Sequence, residues 1–158
     1  MNSNPSGGKS MDALHGIARE MVTRAVVIVG LAGIALIHLL DSISKFAETP
    51  YVAWMYIALM FGAVAAGGLL IFSRTKLGFG AAAGLAASAI AGYVINRTVG
   101  LPNATGDIGN WTEPLGLAAL FVEGCVVALS VVALAHRGPS VADSTSTART
   151  MGDRTVTA

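Results

Sequence analysis

Long apolar runs alternate with short polar stretches along most of the chain, and four of the runs stand out by their length. Each has close to the ~20 residues that an α-helix needs to cross the hydrocarbon core of a bilayer. Charged residues, glycines and prolines separate them. The pattern therefore predicts an all-α protein, a four-helix transmembrane bundle with spans at about 22–40, 51–73, 77–96 and 114–135.

Both ends of the chain lack this apolar pattern. Residues 1–10 are mostly Gly, Ser, Asn and Pro, and such a composition buries too little apolar surface to offset the entropy of ordering. We therefore expect a disordered N-terminus, then a helix that Ser10 caps, within a membrane domain at 11–136. Residues 137–158 are rich in Ser, Thr and Arg without helical periodicity, which predicts a disordered cytoplasmic tail.

The composition supports a membrane protein. Hydrophobic residues make up 54% of the chain and charged residues 12%, against about 25% charged residues in a typical soluble domain. A net charge of +1, without a basic cluster interleaved with aromatic residues, argues against a nucleic-acid partner. The single cysteine, Cys125, excludes an internal disulfide and a cysteine-based metal site within one chain.

Lysine and arginine residues are divided unevenly between the two sides of the predicted bundle. Cytoplasmic loops carry an excess of these residues, so both termini are predicted to be cytoplasmic, in a multi-pass protein of the cell membrane. The lipid bilayer is then its first partner. The outer side has only Lys45 and Arg97, whereas the inner side has Lys9, Arg19, Arg24, Arg74, Lys76, Arg137, Arg149 and Arg154.

The third span contains a stripe of small residues at four-residue spacing, formed by Gly80, Gly84, Ser88 and Gly92. Helices in lipid associate through close van der Waals contact, which small residues permit. We expect this stripe to pack against the second span, which offers Gly62, Ala66 and Gly67. A homodimer interface is the alternative interpretation.

Glu123 lies well inside the fourth span. A carboxylate in that position costs roughly 2.5 to 3.5 kcal/mol on insertion scales and normally faces the protein interior or a water-filled cavity. One hypothesis is a proton or cation site. The other is a protonated or hydrogen-bonded packing residue, with Tyr56 or Tyr93 as its partner.

His38 lies near the outer end of the first span, and Asp41 follows three residues later on the same helical face. Imidazole and carboxylate groups bind divalent metals, so His38, Asp41, Asp107 and Glu113 form a candidate metal set on the outer side. None of the spacings is diagnostic of a metal motif, and a hydrogen bond from His38 to Asp41 or to the outer loop is the alternative.

No motif implies a cofactor. His136 lies at the inner end of the fourth span, most of a ~30 Å hydrocarbon core away from His38. This separation argues against a haem that two histidines of one chain bind within the membrane. A quinone site stays open, since it needs little more than an aromatic pocket and one or two polar groups.

Arg97 stands at the outer end of the third span, where its guanidinium can pair with carboxylates in a bidentate manner. Asp107, Glu113 and the deeper Glu123 are its possible partners. We expect a structural role, in which Arg97 holds the 97–113 loop against the helices. Binding of an anion is the alternative.

The loop sequence Arg97-Thr98-Val99-Gly100-Leu101-Pro102, followed by Gly109-Asn110-Trp111 and Glu113-Pro114-Leu115-Gly116, resembles a group of small bacterial four-span membrane proteins. The similarity covers roughly His38 to Glu123 and includes a histidine late in the first span. This resemblance implies the four-helix topology and an important outer loop. It implies no catalytic residue.

Three functions follow as hypotheses. The first is a non-enzymatic accessory or interaction subunit, whose outer cap, formed by the 97–113 and 41–50 loops, meets a membrane-protein partner. The second is a site for a small ion, metal or proton, lined by Glu123, His38 and Arg97. The third is a quinone-linked oxidoreductase component. The sequence shows no nucleophile, cofactor or nucleotide signature, which favours a protein that is not an enzyme.

Overall fold

The structure, a computed structural model, describes residues 5–72 and 75–136. Four long helices account for most of this part of the chain, and a short 3₁₀ turn at Thr105–Asp107 interrupts the last connection. The all-α, four-helix prediction is confirmed. The helices are α1 (Pro5–Glu48), α2 (Pro50–Ile71), α3 (Thr75–Thr98) and α4 (Pro114–Ala135).

The helix boundaries follow from local sequence chemistry. Pro50 and Pro114 occupy the first turn of α2 and α4, where the missing N–H costs nothing and the fixed φ suits a helix. At the end of α3, the N–H groups of Val99 and Gly100 both donate to the Ile95 carbonyl, at 2.9 and 3.0 Å. Gly100 has a φ of +83°, a left-handed conformation that glycine adopts readily and that ends the helix.

Helix α1 is longer than the sequence pattern predicts. Its 44 residues begin at Pro5, five residues before the expected cap at Ser10, and span roughly 66 Å at 1.5 Å per residue. Since the hydrocarbon core is only ~30 Å thick, α1 extends well beyond it. The predicted tail at 137–158 lies outside the described residues, as do residues 1–4 and 73–74.

The four helices form a ring in which each contacts two neighbours. Helix α1 packs against α2 and α4, and α3 packs against the same two helices from the opposite corner. The connections reverse the chain direction, with Thr49 alone between α1 and α2 and the 99–113 loop between α3 and α4. We refer to the end that carries Thr49 and the 99–113 loop as the loop end, and to the opposite end as the terminal end.

The half of the bundle toward the terminal end contains the apolar core. Large apolar side chains cover the outside of the whole bundle: Phe61 and Phe121 are each 73% exposed, as expected for surfaces that face lipid tails. All four helices are long and apolar enough to cross a membrane, so the chain is a multi-pass integral membrane protein. The core cluster comprises Val27, Leu31, Ile34, Ala63, Ala66, Leu70, Phe79, Ala82, Ala86 and Val126.

An arginine ties α1 to the end of α2 in the same half. The Arg24 guanidinium donates to the Leu70 carbonyl and to the Ile71 carbonyl, the latter at 3.4 Å. The last carbonyls of a helix have no partner within the helix. A side chain of α1 therefore supplies donors that α2 lacks.

Helices α2 and α3 pack together as expected, but not through the predicted stripe. A Cβ on Gly62 would lie 2.6 Å from Leu85, and one on Gly78 would lie 2.7 Å from Leu70. By contrast, a Cβ on Gly80 or Gly84 would meet nothing within 4 Å, as at Gly92, and Ser88 is exposed. The alternative role of the stripe in a homodimer stays a prediction.

Candidate functional site

A cavity of about 710 Å³ opens between the helices at the loop end. All four helices and the 99–113 loop contribute to its lining. Its volume falls within the ~300–1,000 Å³ range of small-molecule sites. The titratable side chains in the lining are His38, Asp41, Lys45, Glu48, Tyr56, Tyr93, Arg97, Asp107, Glu113 and Glu123.

Glu123 and His38 form the floor of the cavity. Glu123 is nine residues into α4 and His38 is ten residues before the end of α1, so both lie roughly 14–15 Å below the loop end of their helices. Glu123 is 2% exposed, and His38 is also buried. His38 Nε2 and Glu123 Oε1 lie 3.8 Å apart. The structure therefore brings together the two most deeply placed polar residues of the candidate site.

The backbone fixes the tautomer of His38. Its Nδ1 lies 2.9 Å from the Ile34 carbonyl oxygen, and since a carbonyl can only accept, Nδ1 carries the hydrogen. In the neutral ring, Nε2 is then an acceptor that faces Glu123. The 3.8 Å separation exceeds a hydrogen bond, but a small side-chain rotation or one bridging water closes it.

Tyrosines from α2 and α3 line the cavity above this floor. The Tyr56 ring meets the His38 ring edge-on, with centroids 4.9 Å apart, and its hydroxyl interacts with Asp41. Tyr93 lies beneath the Arg97 guanidinium, whose central carbon is 5.0 Å from the ring centroid. The sequence suggested both tyrosines as partners of Glu123, and these contacts place them against His38 and Arg97.

Arg97 anchors the loop at the rim of the cavity. Its guanidinium contacts Asp107 Oδ1 at 3.1 Å and Glu113 Oε2 at 2.7 Å. It also donates to the backbone carbonyl of Asp107 at 3.2 Å. Arg97 is 5% exposed, so these bonds are well shielded from water. Of the three carboxylates considered from the sequence, the two rim residues pair with Arg97.

Asp107 is the centre of the rim network. Lys45 of α1 approaches its Oδ2 at 3.4 Å, and Asn96 donates to the same oxygen at 3.0 Å. Burial by itself raises the pKa of the Asp107 carboxyl, but the hydrogen bond from Asn96 and the charges of Lys45 and Arg97 outweigh it. Together they hold this pKa below its usual value.

Neutral hydrogen bonds fix the rest of the loop across the bundle. The Tyr51 hydroxyl donates to the Pro102 carbonyl at 2.6 Å, which ties the start of α2 to the loop. The Gly109 N–H donates to the Arg97 carbonyl at 2.9 Å. The loop is therefore attached to α1, α2 and α3 through side chains as well as through its own chain ends.

The four residues of the candidate metal set line one cavity but divide between two levels. His38 and Asp41 lie on α1, whereas Asp107 and Glu113 are paired with Arg97 at the rim. Within residues 5–72 and 75–136, no group of three or more His, Cys, Asp or Glu side chains is placed to hold a metal ion. We therefore propose no metal site.

The lining has an excess of negative charge. It contains five carboxyl groups against one lysine, one arginine and one histidine. A cavity with low-dielectric walls and charge of one sign concentrates ions of the opposite sign. The interior is thus suited to positively charged species.

The sequence did not assign Lys45 to this site, and it suggested Tyr56 only as a possible hydrogen-bond partner of Glu123. Lys45 lies four residues after Asp41 and three before Glu48, on one helical face, and this spacing was the available signal. Tyr56 falls within an apolar span beside other aromatic residues, where sequence alone does not distinguish a ring that faces lipid from one that lines a cavity.

The fold and the hydropathy of its helices define a four-helix, multi-pass integral membrane protein. No protein-family model, no curated protein and no solved structure matches the chain. The function is therefore argued from the cavity itself.

Proposed function

We propose that this membrane protein binds and exchanges a proton or small cation at Glu123 and His38, with the cavity as the route of access. One observation carries the proposal. A buried carboxylate and a buried imidazole face each other, 3.8 Å apart, at the floor of a cavity whose lining has an excess of negative charge.

Burial of Glu123 favours a functional role. An isolated carboxylate in a membrane interior is expensive, and such residues commonly mark proton or ion pathways. A packing residue needs no access to water, yet Glu123 lines the cavity. The cost is compensated when a cation or a proton occupies the site, and His38 offers a second position for the proton.

The tautomer of His38 gives the pair a simple proton step. Protonated Glu123 is a donor toward Nε2 of neutral His38, because Nδ1 is committed to the Ile34 carbonyl. Transfer of this proton to Nε2 gives an imidazolium beside a carboxylate, with no change in the total charge of the pair. Loss of the same proton to water in the cavity leaves a carboxylate that a cation neutralises.

The orientation of the chain belongs to this proposal. The excess of Lys and Arg on the side of the termini supports cytoplasmic termini by the positive-inside rule. The cavity, which lies at the opposite end of the bundle, then opens away from the cytoplasm. Protons or cations would enter it from outside the cell membrane.

Infrared difference spectroscopy between buffered pH steps tests the proton site. A protonated carboxyl has a C=O stretch that a carboxylate lacks, so exchange at Glu123 changes this band. We expect the wild-type protein to show a band that is absent in Glu123→Gln. In His38→Gln, the same band should change over a different pH range. Asp107→Asn is the matched control and should retain the band, because Asp107 lies at the rim.

One spectroscopic result would contradict the proposal. If Glu123→Gln and the wild-type protein show the same carboxyl bands at every pH at which both stay folded, Glu123 does not exchange protons. The residue is then a packing group, and the proposal fails.

An interaction subunit is the second candidate function. Its support is the attachment of the 99–113 loop by Arg97, Lys45 and Tyr51, which presents a fixed surface at the loop end. Gentle solubilisation of the native membrane, followed by sizing of the protein, tests it. A strictly monomeric species, with no second protein, counts against this function. The quinone hypothesis stays a prediction, and a colourless preparation without extractable quinone removes its support.

A further inference from the structure

The cavity is much larger than a proton or a bare ion needs. At about 710 Å³, it exceeds the ~30 Å³ that one water occupies in the liquid by more than twentyfold. Apolar side chains form much of its wall, among them Leu59, Leu85 and Ala119. A small hydrated ion gains nothing from such walls, whereas an organic molecule is desolvated favourably against them.

The charges of the lining select among organic molecules. Lys45 and Arg97 each pair with two carboxylates at the rim, so neither is available to a ligand anion. Within the described part of the chain, no ion pair joins a lysine or arginine to Asp41 or Glu123, and Asp41 interacts with Lys45 only at longer range. The net negative charge of the lining repels an anion that enters the cavity and attracts a cation.

Aromatic groups add a second preference for positive charge. Tyr56 and Tyr93 both line the cavity, and the face of an aromatic ring attracts organic cations, most strongly where water is excluded. Rings also provide apolar contact area. This combination of aromatic rings and a buried carboxylate suits a cation with an apolar body.

Small residues on α3 provide the space for such a ligand. Ser88 and Gly92, half of the predicted stripe, line the cavity. A Cβ on Gly92 would meet nothing within 4 Å, so the absence of a side chain there leaves open volume. Gly84, about two helical turns from Gly92 along the stripe, has equally free space but lies outside the lining.

We propose that the cavity binds a lipophilic organic cation, such as a substituted ammonium or phosphonium ion, whose charge replaces the proton on Glu123. This inference rests on the proposed function, because it uses the same carboxylate. Each cation that binds releases one proton to water. The titratable groups around Glu123 are His38 and Asp41 from α1, Tyr56 from α2 and Tyr93 from α3, with Lys45, Glu48, Arg97, Asp107 and Glu113 at the rim.

Tetraphenylphosphonium and tetraphenylborate form a matched pair of probes, since they have the same shape and opposite charge. We expect saturable binding of the phosphonium ion to the purified protein by equilibrium dialysis, and no specific binding of the borate ion. The affinity for the cation should rise with pH as protons leave the site. In unbuffered solution, one proton should be released for each cation bound.

Two pairs of variants locate the site. Glu123→Gln should weaken phosphonium binding by at least about tenfold and abolish proton release, whereas Asp12→Asn, an exposed position near the start of α1 and outside the cavity lining, should change it little. Gly92→Leu fills open space in the cavity wall and should weaken binding by a similar factor. Gly84→Leu adds the same side chain to the same helix outside the cavity and should leave binding unchanged. Thermal unfolding of each variant checks that the fold is intact.

The results separate this inference from the function on which it rests. If neither probe binds, if both bind equally, or if Gly92→Leu and Gly84→Leu have equal effects, the organic-cation inference is wrong, while the infrared band of Glu123 still decides the proton site. Binding of a neutral quinone in place of the phosphonium ion also overturns it. If the cation binds without dependence on Glu123 or pH, the inference fails, since the charge exchange on which it rests is absent.

Discussion

The two halves of the bundle use the same four helices in different ways. Toward the terminal end, Leu31, Leu70 and Phe79 fill the space between the helices, and each is almost completely buried. Toward the loop end, the helices enclose a cavity of about 710 Å³ with a polar floor and an ion-paired rim. The difference indicates that one half holds the helices together and thereby leaves the other half free to form a site.

Residue size and charge explain this division. In the terminal half, bulky side chains meet small ones, as where Leu70 packs against Gly78, and such contacts stabilise helix pairs in lipid. In the loop half, Gly92 and Ala119 line the cavity and are too small to fill it. The carboxylates there repel one another, and Arg97 and Lys45 offset this repulsion.

The largest loss of stability should come from removing a large side chain from the core of the terminal half. Phe79 is fully buried, so Phe79→Ala leaves a void and should cost about 3–5 kcal/mol. Phe61→Ala removes the same ring from a position that is 73% exposed and should cost little. Unfolding of both variants in detergent with increasing sodium dodecyl sulfate measures the difference. Equal destabilisation would contradict the assignment of the core to the terminal half.

Loss of Arg97 should affect the loop end selectively. Arg97→Gln leaves Asp107 and Glu113 without their shielded partner, and since both carboxylates are partly exposed, we expect a loss of about 1–3 kcal/mol in loop attachment. Hydrogen exchange should become faster at residues 99–113 and stay unchanged in the terminal half. Arg24→Gln is the control, because it should loosen the terminal end and leave the loop protected.

Two glycines of one helix should respond in opposite directions to the same substitution. Gly78→Ala places a Cβ 2.7 Å from Leu70, and the resulting overpacking should cost about 1–3 kcal/mol. A Cβ on Gly92 would meet nothing within 4 Å. Gly92→Ala should therefore stabilise α3 by up to ~1 kcal/mol through helix propensity. Thermal unfolding of both variants measures the effect. If both destabilise equally, the loop half is as tightly packed as the terminal half.

Protonation of Asp107 in acid should weaken the attachment of the loop. The loss of stability should be the smallest of these four effects, of the order of 1 kcal/mol. The pKa of Asp107 is lowered in the folded protein, so its ion pairs contribute stability that is complete above the unfolded value of about 4. This contribution is lost as the pH falls through the lowered folded pKa. Trp111 fluorescence in a Trp54→Phe background should report the change. Asp107→Asn should show no such transition, and an identical transition in this variant would implicate another group.

The sequence predicts the fold well because the governing signals are local. A span of about 20 apolar residues is visible within its own segment, and Pro50 and Pro114 mark two helix starts directly. The bounds of α1 were less predictable, since a helix that continues beyond the membrane has no hydropathy signal at its start.

The site was only partly predictable because it depends on how each helix rotates. Glu123 and His38 could be singled out as polar residues in apolar spans, but their contact requires that both face inward at one depth. The rotation of α3 also explains why the predicted stripe of small residues is not the surface that packs against α2. The inward face carries Phe79, Ala82 and Ala86, and Gly80 is turned away by one residue step of 100°. Small size alone does not reveal which face packs.

Labelling of engineered cysteines with charged thiol reagents measures whether water and cations reach the cavity. Ala119→Cys, in a Cys125→Ser background, places a thiol in the cavity wall one helical turn above Glu123, and Ala86→Cys places one in the packed half. We expect a cationic methanethiosulfonate reagent to label position 119 faster than an anionic reagent of similar size, and neither to label position 86. Equal rates for the two reagents at position 119, or no labelling there at all, would contradict an acidic cavity that opens to water at the loop end.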